Sequence, residues 1–341
     1  MNQRRRGFLV TATGLALAGA QPGFAKAGLV DRSTRPDRSG LEGEILSLFS
    51  NLPEGKALKI WAPAADGKPE FVVQQNAQTR MFVASTNKAI ILCERLRQLD
   101  SPTVGQEIAG HDLELDESIW SPGSEIFNPP DLSGLVSERT AMEAMVIESD
   151  NTGTDMVLKE AGPDNVRNFI RRIGLASTMI PDSTRAFAAY LAGASNYKTI
   201  TWDELISLPP GPLAHPFLND VETLASSPDD LVSFFSRALP GTFFSHSETL
   251  VQFRRILSLG DITYLVPFPL GMSVFGKAGY ADIEGAHARS IAGGVYFPNR
   301  WVYFSMILNW NAPAGKDDQT VNKFYGAIQQ SMALLQEQLG N

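Results

Sequence analysis

The chain has 341 residues, 43% of them hydrophobic and only 19% charged, with 21 prolines and 29 glycines; this excludes disordered and fibrous classes and predicts one large domain or two intimate ones. A formal net charge of −8, with no cluster of lysines and arginines after residue 40, leaves no electrostatic footprint for a nucleic acid. The single cysteine, Cys93, forbids an intrachain disulfide, and the scattered His111, His215, His246 and His287 offer no metal-ligand spacing, so neither a metal nor a cofactor is expected.

In chain order, Arg4, Arg5 and Arg6 precede Gly7, Phe8 and Leu9 and an apolar stretch that ends at Ala20, too short to span a bilayer. The Arg-Arg-x-Phe-Leu order resembles a twin-arginine export signal. Residues 1–27 are therefore expected to be a signal removed after Ala20, Ala25 or Ala27, residues 28–39 a polar linker, and the periplasm the destination. No later segment holds about 20 unbroken apolar residues, so no membrane span is expected.

Leu41, Ile45, Leu48, Phe49 and Leu52 recur at helical spacing, and strand-like runs follow at 58–61, 71–73 and 81–83. Ser85 opens an apolar helix through Ile90, Ile91, Leu92 and Leu96. Residues 100–136 are loop-rich, and helical patterns occupy about 137–148, 152–161 and 163–173. From 181 to 228 there is no steady period, and Pro209, Pro210, Pro212 and Pro216 predict a loop-dominated piece, which at that length is usually functional. Helices return near 228–238 and 246–257, strands near 271–276, 289–297 and 301–309, and a last helix at about 318–337. Strands at both ends with helices between them predict an α+β fold: an antiparallel sheet flanked by N- and C-terminal helices, with an inserted helical subdomain. The sheet part would comprise 40–100 and 260–341, and the helical part 101–259 with an enlarged loop at 181–228.

Several chemistries fail on their residues. No Gly-x-Ser-x-Gly elbow occurs. Gly271 to Lys277 spells a phosphate-loop pattern, but Ala278 replaces the hydroxyl that would hold Mg²⁺, and the intervening residues read as an apolar strand. Ser85-Thr86-Asn87-Lys88 is an S-x-x-K. Taken alone, its serine reads first as a helix N-cap, and Ser195 to Lys198 is a second match in the aperiodic region. A helix start would favour developing negative charge at Ser85 and place Lys88 one turn on, on the same side. Ser149-Asp150-Asn151 then falls at a helix junction, and Lys277-Ala278-Gly279 on a strand near the C-terminus.

These three signals, in this order, resemble the penicillin-recognising serine hydrolases, and class A β-lactamases most closely; the resemblance spans essentially the whole chain after the signal. It implies the sheet-plus-helical-subdomain fold with the site between the two parts. By the same resemblance, Ser85 would be the acylated nucleophile, Lys88 its base or proton relay, and Ser149 the group that passes the proton to the leaving nitrogen. Asn151 would bind the substrate amide, Lys277 would hold positive potential beside Gly279, and the N–H groups of Ser85 and Tyr280 would form an oxyanion hole. Arg289 would help bind a substrate carboxylate.

Two departures stand out. After Ile173-Gly174 no glutamate follows where the family keeps its Glu-x-x-Leu-Asn motif, whose glutamate activates the deacylating water. His215-Pro216-Phe217-Leu218-Asn219 looks like that motif displaced by an insertion, with His215 as base and Asn219 placing the water; failing that, Asp182, Asp203, Glu204 or no base at all is left. Ala278 lacks the hydroxyl that holds a β-lactam carboxylate. The expected function is an exported serine hydrolase acylated at Ser85, acting on a β-lactam or a peptidoglycan-derived small molecule. A D-alanyl-D-alanine peptidase or esterase is the alternative on the same scaffold, and a penicillin or peptidoglycan sensor without turnover is the alternative outside it.

Overall fold

The computed structural model describes residues 38–339 apart from 66, 284, 298, 299, 314 and 316; the expected export signal and the expected linker up to residue 37 lie outside the described residues. The chain begins with α1 (Arg38–Ser50), β1 (Lys56–Ala62), β2 (Phe71–Gln75) and the short β3 (Met81–Phe82). A 3₁₀ turn, Ala84–Asn87, leads into α2 (Lys88–Gln98), followed by α3 (Val104–Gly110) and a hairpin of β4 (Asp112–Leu115) and β5 (Gly134–Ser137). Next come α4 (Glu138–Ile147), α5 (Asn151–Ala161), α6 (Pro163–Arg172), α7 (Thr184–Leu191) and α8 (Trp202–Ile206). The chain then returns through β6 (Ala225–Ser226), α9 (Pro228–Ala238), α10 (Ser247–Ser258) and α11 (Ile262–Leu265) to β7 (Ser273–Ile283), β8 (Ala286–Phe297), β9 (Arg300–Asn311) and α12 (Asp318–Leu339).

The five long strands form one antiparallel sheet in the order β2-β1-β9-β8-β7, as the distribution of strands along the sequence predicts. Side chains alternate across it. Leu58, Ile60, Ile291, Phe304 and Met306 bury one face against α1 and α12, where Phe49 meets Phe324 edge-on. Ala57, Ala292, Tyr303 and Ile307 bury the other face against a helical layer built round α2, whose Ile90, Ile91, Leu92, Cys93 and Leu96 are all buried. The result is an α+β fold with two cores, one on each side of the sheet.

The sequence reading needs four adjustments. Met81–Phe82 pairs with Ala225–Ser226 and not with the main sheet, so the expected meander stops after two strands. The loop-rich stretch at 100–136 contains α3 and the β4–β5 hairpin. The 181–228 segment holds α7 and α8 and has its own apolar cluster of Ala189, Ile200 and Leu205. Finally, β7 spans Ser273–Ile283 and runs on past residue 276, which puts Lys277 mid-strand as expected for Lys277-Ala278-Gly279.

Candidate active site

Ser85 is the one residue between Met81 and Glu94 that is not fully buried. Its turn is entered through Ala84 at φ +45°, a conformation that costs a non-glycine residue of order 1–3 kcal/mol and has to be held by its surroundings. Those surroundings are β7 and β8. Ser290 Oγ donates to the Val83 carbonyl (2.6 Å) and shares a 2.5 Å hydrogen bond with Thr86 Oγ1. Gly279, paired with Ser290, lies so close that a Cβ there would run into the Val83 carbonyl and come within 2.8 Å of the Ser85 nitrogen. Only glycine lets the strand approach Ser85 this closely. No side-chain cap bond forms at this helix start, which removes the reading of Ser85 as an N-cap.

Lys88 is the first residue of α2 and is fully buried. Its Nζ donates to the Ser149 carbonyl, to Asn151 Oδ1 (2.8 Å) and, at 3.3 Å, to Ser149 Oγ. Ser149 presents both oxygens because it holds φ +58° between α4 and α5, a second strained non-glycine residue in the site. Asp150 locks that junction. One of its oxygens caps Gly153 (2.8 Å), and the other accepts the N–H groups of Ile126 (2.9 Å) and Phe127 (3.0 Å). Asn151 is oriented by donating to the Pro122 carbonyl (2.7 Å).

From the sheet side, fully buried Lys277 donates to Ser149 Oγ (3.1 Å), so this hydroxyl bridges the two lysines. Lys277 also forms a buried ion pair with Asp261, whose other oxygen accepts the Ala278 N–H (2.8 Å). Burial, and after it the charge of Lys277, lowers the Lys88 pKa to about 7, while the carboxylates of Asp150, Asp261 and Asp155 pull the other way. Burial likewise lowers Lys277 and raises Asp261, each partly offset by the other's charge.

The edge position of β7 supplies the remaining donor. The Ala278 N–H points away from β8, because it binds Asp261. In an antiparallel strand alternate N–H groups point the same way, so the Tyr280 N–H faces the same free edge, beside Ser85.

The structure thus brings together Ser85, Lys88, Ser149, Asn151, Lys277, Gly279 and the Tyr280 backbone. Arg289 stands apart. Its register partner is Tyr280, and together with Asp282 and His287 it occupies the α12 face of the sheet. There both ends of the guanidinium are held by Asp282 (3.0 and 2.7 Å).

The side chains of His215 and Asn219 make their described contacts elsewhere, although Phe217 between them stacks on Phe82 at 4.8 Å and packs with Ala84 beside Ser85. The His215 ring stacks on Tyr190 at 4.1 Å, and none of its described contacts reaches Ser85 or Lys88. The Asn219 side chain closes its own loop, donating to the carbonyls of Pro216 (3.0 Å) and Glu222 (2.7 Å) and accepting the Val221 and Glu222 N–H groups. The other acids and the second S-x-x-K are engaged elsewhere or exposed. Asp182 pairs with Arg167 and Lys198, Glu204 closes the capping box of α8 with Thr201, and Ser195 sits in a turn whose Lys198 is exposed. What lies beside Asn151 is Thr184, donating to the Asn151 carbonyl at 3.2 Å. Asp155 holds it there by accepting the N–H groups of Thr184 (2.6 Å) and Arg185 (3.1 Å). Asp261, Asp155 and Thr184 were not foreseen from the sequence. The distance of Thr184 from Ile173-Gly174, where an activating residue was sought, is the one signal that pointed to it.

A family model described as the beta-lactamase enzyme family matches residues 41–331. Among solved structures, the TLA-3 extended-spectrum beta-lactamase superposes with a TM-score of 0.66 at 16% identity, covering 89% of this chain and 100% of that one. A class A beta-lactamase from Bacteroides cellulosilyticus DSM 14838 gives 0.64 at 16%, covering 89% and 98%. PBP-A gives 0.62 at 15%, covering 88% and 97%. At these identities the likeness to solved structures speaks for the fold, and no curated protein sequence matches.

Proposed function

Because the chain belongs to the beta-lactamase enzyme family, we propose that it is a serine hydrolase whose covalent intermediate forms at Ser85. One observation carries this reading: Ser149 Oγ bridges two fully buried lysines, Lys88 and Lys277, beside the only accessible residue of its segment. With a pKa near 7, Lys88 is about half free amine at neutral pH, where an ordinary lysine would be almost wholly charged. Lys88 accepts the Ser85 proton as Oγ bonds to the acyl carbon. The carbonyl oxygen, now negative, is held by the Ser85 and Tyr280 N–H groups. Collapse breaks the bond to the leaving atom, and the proton returns to that atom from Lys88 through Ser149. Asn151 orients the acyl side.

Water must then cleave the ester. Among the described residues no carboxylate bonds to the side chains of Ser85, Lys88, Ser149 or Asn151, and Asp150, Asp155 and Asp261 are committed elsewhere. Lys88 is then the only base for both halves, which makes the acyl-enzyme long-lived and favours an esterase or an adduct-forming sensor over rapid β-lactam turnover. Intact-protein mass spectrometry followed by peptide mapping, after a fluorophosphonate and after a β-lactam, tests the reading: a single added mass that maps to the Ser85 peptide supports it, and none with either reagent refutes it. The proposal extends to export by the twin-arginine route, resting on Arg5, Arg6, Phe8 and Leu9. Changing both arginines to lysine should leave a reporter fused after residue 40 in the cytoplasm.

A further inference from the structure

A carboxylate arriving along the free edge of β7 would find the described cations nearest it, Lys277, Arg289 and Lys88, all engaged. Lys277 is paired with Asp261. Arg289 is gripped by both oxygens of Asp282 on the far face of the sheet. The three hydrogen-bond partners of Lys88 are the Ser149 carbonyl, Ser149 Oγ and Asn151 Oδ1, which account for all the protons an ammonium can offer. Nor is there a neutral donor at the usual place, since Ala278 has only a methyl group and its N–H is held by Asp261. The segments that carry Ser149 and Ile126 add negative charge instead. Glu148 precedes Ser149, and Glu125 precedes Ile126, whose N–H binds Asp150. Partial burial, and then the charges of Glu148 and Asp150, hold Glu125 above its ordinary pKa.

We infer that the acyl donor taken by this site carries no carboxylate beside its scissile bond and is an uncharged ester or amide. The inference rests on the acylation of Ser85 proposed above. It separates the alternatives within that reading, because a peptide ending in D-alanyl-D-alanine and an unmodified penicillin both present an anion at this edge, whereas a neutral ester does not.

The test compares benzylpenicillin with its primary carboxamide, which keeps the acyl group and the strained ring and removes only the charge. The rate of Ser85 adduct formation is read by mass spectrometry on the full-length protein, and a fluorophosphonate, which needs no carboxylate recognition, reports separately on the nucleophile. The carboxamide should acylate Ser85 at least about tenfold faster than the free acid, as expected when a like charge is removed from a site lacking a free counter-ion. A free acid that reacts as fast or faster overturns the inference and leaves Ser85 acylation standing. So does a failure of both β-lactams while the fluorophosphonate labels Ser85. Failure of the fluorophosphonate as well removes the acylation reading and this inference with it.

Discussion

Asp155 accepts the backbone N–H of Thr184 at 2.6 Å, and so sets the first turn of α7 against Asn151, the residue that binds Lys88. A threonine hydroxyl there donates to a carbonyl and has no capacity to take a proton from water at neutral pH. Thr184→Glu should supply the missing carboxylate. It should speed breakdown of the acyl-enzyme by roughly 10-fold or more, towards the 10²–10⁴ of a well-placed general base, and change the acylation rate little. Stopped-flow separation of the burst from the steady state measures both steps, and an unchanged deacylation rate would contradict this placement of Thr184.

The converse prediction concerns the 215–219 segment. His215 stacks on Tyr190 and Asn219 satisfies its own loop, so His215→Ala should leave deacylation within about twofold of wild type, as expected for a group that takes no part in proton transfer. A long-lived adduct peculiar to His215→Ala would restore the histidine as base.

Acylation should follow the ionisation of Lys88. Burial, and then the positive charge of Lys277, hold that amine near pKa 7; below this pH it is an ammonium and cannot accept the Ser85 proton, and above it the free amine prevails. The acylation rate should therefore rise about tenfold per pH unit on the acid side and level off above about 7. Lys277→Ala removes one of the two causes that lower the pKa, so its midpoint should move to higher pH. A wild-type profile in that variant would show that the two lysines are not coupled.

Gly279→Ala would push a methyl group at the Val83 carbonyl and the Ser85 nitrogen, one of the two oxyanion donors. The expected loss in acylation is roughly 10²-fold, with overpacking costing about 1–3 kcal/mol of stability. Acylation at the wild-type rate, measured beside a thermal melt, would contradict the close approach of strand and nucleophile.

The parts of the site that were legible in the sequence are those encoded in short local patterns. Ser85 and Lys88 share one turn, Ser149 and Asn151 one helix junction, and Lys277 and Gly279 one strand, so order along the chain identified all of them. Asp261 was opaque because its meaning depends on Lys277, 16 residues later, folding back onto it. An aspartate after Gly260 otherwise reads as a turn. Arg289 matched by position, yet its function depends on which partner the guanidinium meets, and Asp282 on the neighbouring strand decides that. The 215–219 match did not reveal that the Asn219 side chain would close its own turn, because that depends on how the insertion folds. Helices α7 and α8, with 8 and 5 residues, are too short to show a period. Thr201 and Glu204 did spell the capping box that starts α8, and this signal was readable. The expected end of β7 at residue 276 fell short because buried Lys277 interrupts the apolar pattern of the strand.

The central claim is that Ser85 is the atom acylated, and peptide mapping by mass spectrometry of wild type and Ser85→Ala after a fluorophosphonate tests it most directly. Ser85 makes no cap bond, so the variant should fold and melt within about 2 °C of wild type, as for substitutions away from structural features. The prediction is one added mass on the wild-type peptide that contains Ser85, and none anywhere in Ser85→Ala. Label retained by the folded variant, on Ser195 or any other residue, would contradict the account.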